Sequence, residues 1–419
     1  MTLQQIQAEY ADLKAAGIKL DLTRGKPSSK QLDLSAELLK YPAASDITAE
    51  GNVDTRNYGG AQGLVEARRL FTGLLGAPVE QIILGNNASL ALMHDVITYS
   101  LLKGASEGSK PWGQQEIAFI CPVPGYDRHF RICQDYGIRM IPVALGEDGP
   151  DMDAVEALVA KDASIKGIWC VPKYSNPSGT VYSDAVIERL AAMKTAAEDF
   201  RIFWDNAYGV HHLTDEHVEI ANLLELCAKH GSPDRALVFA STSKITFAGA
   251  GICAVAGSPA NVKWLLARMA PRTIGPDKIN QLRHARFLKD AAGVLALMEK
   301  HKALLAPKFD RVLEIFEREL SGIQDVVWTR PKGGYFISLD VPAGCARRVI
   351  ALAKDAGVLL TPAGSCHPLA NDSEDRTIRI APSFPELDEV EKAAAAVTLC
   401  VRLAAAEKGI FAAEAVATR

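Results

Sequence analysis

Residues 241–251 read Ser-Thr-Ser-Lys-Ile-Thr-Phe-Ala-Gly-Ala-Gly. Apolar runs flank them, at 236–239 and 252–256, so a strand is expected to end in a hydroxyl-rich loop that carries Lys244 and returns through glycines. Lysine shifts its pKa readily on burial and is a nucleophile once neutral. Ser-x-Ser-Lys also occurs in ordinary loops. Its weight comes from two stretches upstream, Asn176-Pro-Ser-Gly179 and Asp205-Asn-Ala-Tyr208. A Schiff-base lysine, an acid for a ring nitrogen and donors for a ring oxygen are together what pyridoxal 5'-phosphate requires.

Outward from this loop, short apolar runs alternate with helical spacing from about residue 80 to 260. The strand candidates are 81–84, 116–121, 139–143, 167–171, 201–204, 236–239 and 252–256. Such alternation indicates an α/β fold, a mainly parallel sheet covered by helices on both faces. Upstream, residues 2–17 have amphipathic helical spacing, 22–28 is turn-rich, and 64–75 reads as helix. After residue 285 the period changes. Residues 287–320 read as one or two long helices, followed by strand candidates at 326–328, 335–339, 358–360 and 377–380 and a helix from Glu386. The expected division is an N-terminal segment (1–45) packing with the small domain, a large cofactor-binding domain (46–299) and a small α+β domain (300–419).

Each candidate side chain has a place in this pattern. Asp205 ends the run 201–204, and ligands of open α/β sheets bind at the C-terminal ends of strands. There its carboxylate would pair with a protonated ring nitrogen, while Tyr208 and Asn176 would donate to the ring oxygen. Gly85-Asn-Asn-Ala-Ser-Leu90 lies between a strand and a helix, the setting of an anion site. Ser89, the Ala88 amide, Ser241 and Ser243 would hold the phosphate; a plain N-cap is the competing use of Ser89. Tyr126, in Pro122-Val-Pro-Gly-Tyr126, is the candidate for stacking on the ring, and a core tyrosine is nearly as good a reading. Tyr58 sits in a glycine turn, as a phosphate contact or a turn filler. Arg379 stands among apolar neighbours in Arg376-Thr-Ile-Arg-Ile-Ala381. A buried arginine is expensive unless paired, and its fork suits a substrate carboxylate better than a structural ion pair.

The bulk properties narrow the class. The chain has 419 residues and a formal net charge of -4, which argues against nucleic acid as a partner. Eight cysteines without CxxC spacing suit buried thiols of a reducing cytoplasm. No secretory signal is visible, and the apolar run 393–406 is broken by Arg402, so neither export nor a membrane span is expected. His211-His212 lacks a third ligand at metal spacing, so a surface or supporting role is expected and no metal. Lys166, Lys173 and Lys194 read as solvated.

Together these stretches resemble the fold-type I pyridoxal-phosphate enzymes, class I/II aminotransferases, over about residues 20–400. Leu22-Thr-Arg-Gly-Lys-Pro27, Tyr58-Gly-Gly-Ala-Gln-Gly63, 241–251 and Lys332-Gly-Gly-Tyr-Phe336 look like the MocR-like aminotransferase group, which includes a divergent aspartate aminotransferase subgroup. The resemblance implies that Lys244 carries the cofactor and that Asp205, Asn176 and Tyr208 contact its ring. It implies that Ala88, Ser89, Ser241 and Ser243 hold the phosphate, that Tyr126 stacks, and that Arg379 takes the substrate α-carboxylate. Tyr58 would reach the neighbouring subunit's phosphate in a homodimer, and Gly25 would approach the substrate through its backbone. One departure stands out. The phosphate-binding arginine that most class I enzymes carry eight residues after the lysine is Ile252 here, so other donors must compensate. MocR regulators add an N-terminal DNA-binding domain, for which no room is expected before residue 20. The implied activity is ping-pong transamination, with aspartate and glutamate and their oxo acids as first choice and Arg24, Lys26 or Arg128 for a second carboxylate, Arg24 first. Alanine, aromatic or 2-aminoadipate-type substrates, another pyridoxal-phosphate reaction such as β-elimination or decarboxylation, and a non-catalytic regulatory module are the alternatives.

Overall fold

The computed structural model describes residues 2–410. Seven strands form the central sheet: β1 (Ile82–Leu84), β2 (Ala118–Val123), β3 (Arg139–Ala144), β4 (Ile165–Cys170), β5 (Arg201–Asp205), β6 (Ala236–Ser241) and β7 (Cys253–Ala256). Their order is β1-β7-β6-β5-β4-β2-β3. Strands β2 to β6 run parallel, and β7 is antiparallel to both its neighbours. All seven coincide with the apolar runs. Continuous rather than alternating hydrophobicity follows from burial on both faces. In β5, Ile202 and Trp204 pack into one core while Phe203 packs into the opposite one, as successive side chains of a strand must.

The run 287–320 resolves into two helices, Lys278–Leu288 and Ala291–Leu320. Lys289 between them is left-handed (φ 67°), and Asp290 caps the second helix by accepting from the Gly293 amide at 2.8 Å. That 30-residue helix joins two cores. Val294, Leu297 and Met298 face the core of the large sheet, whereas Leu305, Phe309 and Val312 enter a second core with the C-terminal strands and helices. There Val327–Trp328, Ile337–Asp340 and Thr377–Ile380 make an antiparallel sheet. The expected strand at 358–360 does not join it. Val358–Leu359 pairs in parallel with Leu20–Asp21, a strand the turn-rich sequence around it conceals, and this pairing carries the segment 22–28 toward Arg379.

The first helix, Leu3–Ala15, lies against the last, Leu387–Glu407, and Tyr10 Oη donates to the Leu352 carbonyl at 2.9 Å. All eight cysteines are buried and free. Among the described residues, no helix is long and apolar enough to cross a membrane.

Candidate active site

The C-terminal ends of β4, β5 and β6 and the start of helix Ser89–Lys103 enclose a cavity of about 240 Å³ lined by Asp205, Lys244, Asn176 and Tyr208, among others. Asp205 is the last residue of β5 and 3% exposed. Its Oδ2 lies 3.1 Å from His129 Nε2, and its Oδ1 is buried with no partner. His129 comes from helix Asp127–Asp135 and lies flat on Trp169, 4.4 Å between ring centres. A buried carboxylate held at one oxygen and orphaned at the other suits a ligand that brings a hydrogen-bond donor.

Lys244 lies on the loop leaving β6, its Nζ 5.0 Å from the centre of the Tyr208 ring. Burial pushes its ammonium below the usual lysine range, and the nearby charge of Asp205 opposes that. The carbonyls on either side of its link to Ile245 are held by histidines: His211 Nε2 is 3.3 Å from Lys244 O, and His301 Nε2 is 2.9 Å from Ile245 O. Gln31 completes the support by reaching His301 Nδ1 at 3.1 Å and Tyr335 Oη at 3.0 Å. Burial, with the Lys244 charge adding to it, drops His211 to about 3, so it stays a neutral imidazole. Burial drives the Tyr208 hydroxyl well above its ordinary value and Tyr126 to about 12, which keeps both protonated as donors.

At the other end, Ala88 is the N-cap of helix Ser89–Lys103 and Ser89 its first residue, with no side-chain cap. The leading amides of this helix therefore face the cavity unclaimed by a side chain. Ser241 Oγ donates to Ser243 Oγ at 3.1 Å, and Ser243 Oγ donates to the Asn87 carbonyl at 3.0 Å. Ile252 is buried at 1% exposure, its amide donating to Thr242 Oγ1 at 2.9 Å. The anion end is thus built from backbone and hydroxyls, and Lys244 is the one cationic residue in the cavity's lining. The orphaned carboxylate oxygen, the uncapped helix and the buried lysine match the ring nitrogen, phosphate and aldehyde of pyridoxal phosphate.

The chain matches the aspartate amino-transferase family model over residues 1–412. It belongs to that family. The aspartate aminotransferase of Corynebacterium glutamicum is 51% identical over 405 residues, 96% of this chain and 94% of that one. A crystal structure of an aspartate transaminase from the same organism superposes with a TM-score of 0.95, covering 97% of this chain and 96% of that one at 51% identity. The Thermus thermophilus α-aminoadipate aminotransferase, 20% identical, shares the fold with a TM-score of 0.73 over 91% and 92% of the two chains. The fold is that of the fold-type I aminotransferases, and the chain's activity is amino-group transfer.

Against this family frame, the cavity unites Ala88, Ser89, Tyr126, Asn176, Asp205, Tyr208, Ser241, Ser243 and Lys244. Tyr126 stands edge-on to His129, 5.0 Å between centres. Arg379 lies beside them and is already engaged. Its guanidinium donates to Asp127 Oδ1 (3.2 Å), Asn176 Oδ1 (3.4 Å), Thr361 Oγ1 (3.2 Å) and Thr23 O (3.4 Å), leaving Nε buried and unpartnered. It also covers the face of Phe336 at 4.9 Å. Gly25 packs on the same ring: a Cβ there would stand 2.4 Å from Phe336 Cζ. Arg24, Lys26 and Arg128 are exposed and outside the cavity lining. Tyr58 is 81% exposed and outside it too.

One expectation fails. Lys166 and Lys173 are buried rather than solvated, at 6% and 5% exposure; Lys166 pairs with Asp199 at 2.7 Å. Lys194 is exposed as expected. His211 and His212 are both buried, and of the surface or supporting role expected of them His211 takes the second, against the Lys244 carbonyl. Sequence reading also missed His129, His301 and Gln31. They act from distant elements, and only the apolar spacing around His129 marked it as inward-facing.

Proposed function

We propose that this protein uses pyridoxal phosphate to move the amino group between L-aspartate or L-glutamate and a 2-oxo acid, in two half-reactions at one site. The observation that carries the reading is the buried Asp205, held on one side by His129 and unpaired on the other, facing the cavity that Lys244 enters. Pyridoxal phosphate supplies the electron sink for a carbanion at the substrate Cα and carries the amino group between the half-reactions.

The chain's own residues divide the remaining work. Asp205, held in place by His129, would face a protonated ring nitrogen with its unpaired oxygen. Asn176 and Tyr208 donate to the ring oxygen, and Tyr126 lies against the ring. Ser89, Ser241, Ser243 and the Ala88 amide hold the phosphate at the helix N-terminus. Lys244, with its affinity for protons lowered by burial, takes the Cα proton and returns it elsewhere as general base and then acid. Arg379 takes the α-carboxylate, sharing its fork with Asn176 and giving up part of its contact with Asp127; Gly25 borders that carboxylate through its backbone. Support for a dicarboxylate comes from the Corynebacterium relative's name, with Arg24 as the first candidate for the second carboxylate.

The exposed Tyr58 lies on a turn whose carbonyls at Asn57 and Gly59 are both held at 2.7 Å by the buried Lys278. A rigid turn offering an exposed tyrosine supports a homodimer in which Tyr58 reaches the partner's phosphate. The large unit is taken as residues 46–299 and the small one as 300–419, with 1–45 packing on the latter. Eight buried free thiols suit a cytoplasmic protein.

An absorbance titration tests the reading. L-Aspartate should remove the visible band of the bound cofactor, and 2-oxoglutarate should restore it. A band indifferent to aspartate would refute the dicarboxylate assignment, and no band after added pyridoxal phosphate would refute the cofactor.

A further inference from the structure

The cavity that holds the chemistry is not the larger one. A second hollow of about 460 Å³ lies behind the active-site strands, between Trp204 and Val238, the segment 70–76 and the first turn of helix Ala291–Leu320. That is within the ~300–1,000 Å³ typical of small-molecule sites. Leu70, Leu74, Val210, Leu223 and Val294 supply an apolar wall. Lys173, His212 and His217 supply a polar side, with the exposed Glu219 at the rim.

Lys173 is the anomaly. It is 5% exposed, yet its ammonium makes no hydrogen bond or ion pair among the described residues; it lies over the Tyr174 ring, 5.8 Å from the ring centre. Burial pushes it below the ordinary lysine range, and the charge of Glu219 opposes that only in part. An unpaired buried ammonium is expensive to keep. Beside it, His212 is 7% exposed and lies 2.7 Å from Tyr174 Oη through Nδ1. Burial drops His212 to about 4, so the ring is neutral. In the tautomer in which Tyr174 donates to Nδ1, Nε2 carries the proton and is a donor. His217 stacks on the same ring at 4.0 Å.

We propose that this hollow is a second ligand site that takes a small organic acid, its carboxylate at Lys173 and His212 and a short apolar body against Leu70, Leu74 and Val294. The two linings interleave along the chain: Trp204, Asn206 and Gly209 border this hollow while Asp205, Ala207 and Tyr208 line the active cavity, and His212 follows His211, which touches the Lys244 carbonyl. A bound acid would therefore stiffen the backbone that carries both.

Calorimetric titration of isovalerate and phenylacetate into the holoenzyme tests this. Lys173→Met removes the cation; Leu295→Trp, at a 46% exposed position on the rim, narrows the mouth without touching the core. Binding of either acid should weaken at least tenfold in both variants and stay within twofold in Arg379→Ala, with thermal melts confirming that all three fold. Equal affinity in Lys173→Met and the parent would overturn the proposal. So would binding lost only in Arg379→Ala, which would place the acid in the active cavity. No heat with either acid up to about 50 mM, well above the millimolar range of weak specific binding, would leave a water-filled void and overturn it as well.

Discussion

At one end of the active cavity, Asp205 is almost wholly buried, bonded to His129, which lies flat on Trp169. At the other, Ser241 and Ser243 bond each other and a loop carbonyl, the helix at Ser89 is uncapped, and Ile252 occupies the position after the glycine turn. The ring end depends on one charge in a low-dielectric pocket, supported from three elements. The anion end spreads its load over backbone amides and neutral hydroxyls. Loss of a single group should therefore be severe at the first end and mild at the second.

The largest effect is expected from Lys244→Ala, which removes the proton carrier. Turnover should fall by roughly a thousandfold or more, within the range ascribed to general acid–base groups; near-normal steady-state rates would remove Lys244 from the chemistry. Asp205→Asn keeps the shape and deletes the charge. A charge-assisted hydrogen bond is worth about 1.5–3 kcal/mol, so kcat should drop by about ten- to 150-fold, with KM changing less. His129→Phe keeps a ring over Trp169 and strands Asp205 Oδ2. About tenfold is expected from an unsatisfied buried acceptor, read as a change in the pH dependence of the cofactor's absorbance as well as in kcat. Ser243→Ala deletes one hydroxyl of several at the anion end. Its cost, about 0.5–1.5 kcal/mol, should raise the cofactor's dissociation constant less than about tenfold, with kcat unchanged at saturation. If Ser243→Ala cost as much as Asp205→Asn, the contrast between the two ends would collapse.

Legibility followed the same division. The seven strands of the sheet could be read from apolar runs because burial on both faces leaves no polar alternation to confuse them. Lys244, Asp205, Asn176 and Tyr208 could be read because each follows such a strand at short range. His129 could not, because its partner Asp205 lies 76 positions away, and nothing local distinguishes a ring that supports a carboxylate from one that fills a core. Lys173 was misread for a related reason: a lysine beside Pro172 looks solvated until the loops of 206–223 fold over it. The strand at Leu20–Asp21 escaped because two residues show no period, and its pairing with Val358–Leu359 is settled by tertiary contact alone.

A gentler prediction concerns pH. His211, His212 and His284 are held neutral by burial, at about 3, 4 and 4, against 6.5 when exposed. The unfolded chain binds protons below pH 6.5 that the folded chain refuses, so stability present above 6.5 is lost progressively as pH falls toward 4. The melting temperature should decline across that window, and His284→Gln should make the decline shallower.

The antiparallel strand β7 has a consequence for biogenesis. It is the neighbour that β1 needs, and Leu84 meets Ala254 only after some three-fifths of the chain has been made. The Gly85–Ser89 loop hangs from β1, with the Gly85 amide tied to the Cys253 carbonyl at 2.8 Å. During translation the phosphate cradle therefore cannot close until β7 has been made, well after β2 and β3 can pair. A chain that stops before residue 253 has nothing for β1 to pair with and so no anchored phosphate loop, and the His301 support of the lysine loop comes later still.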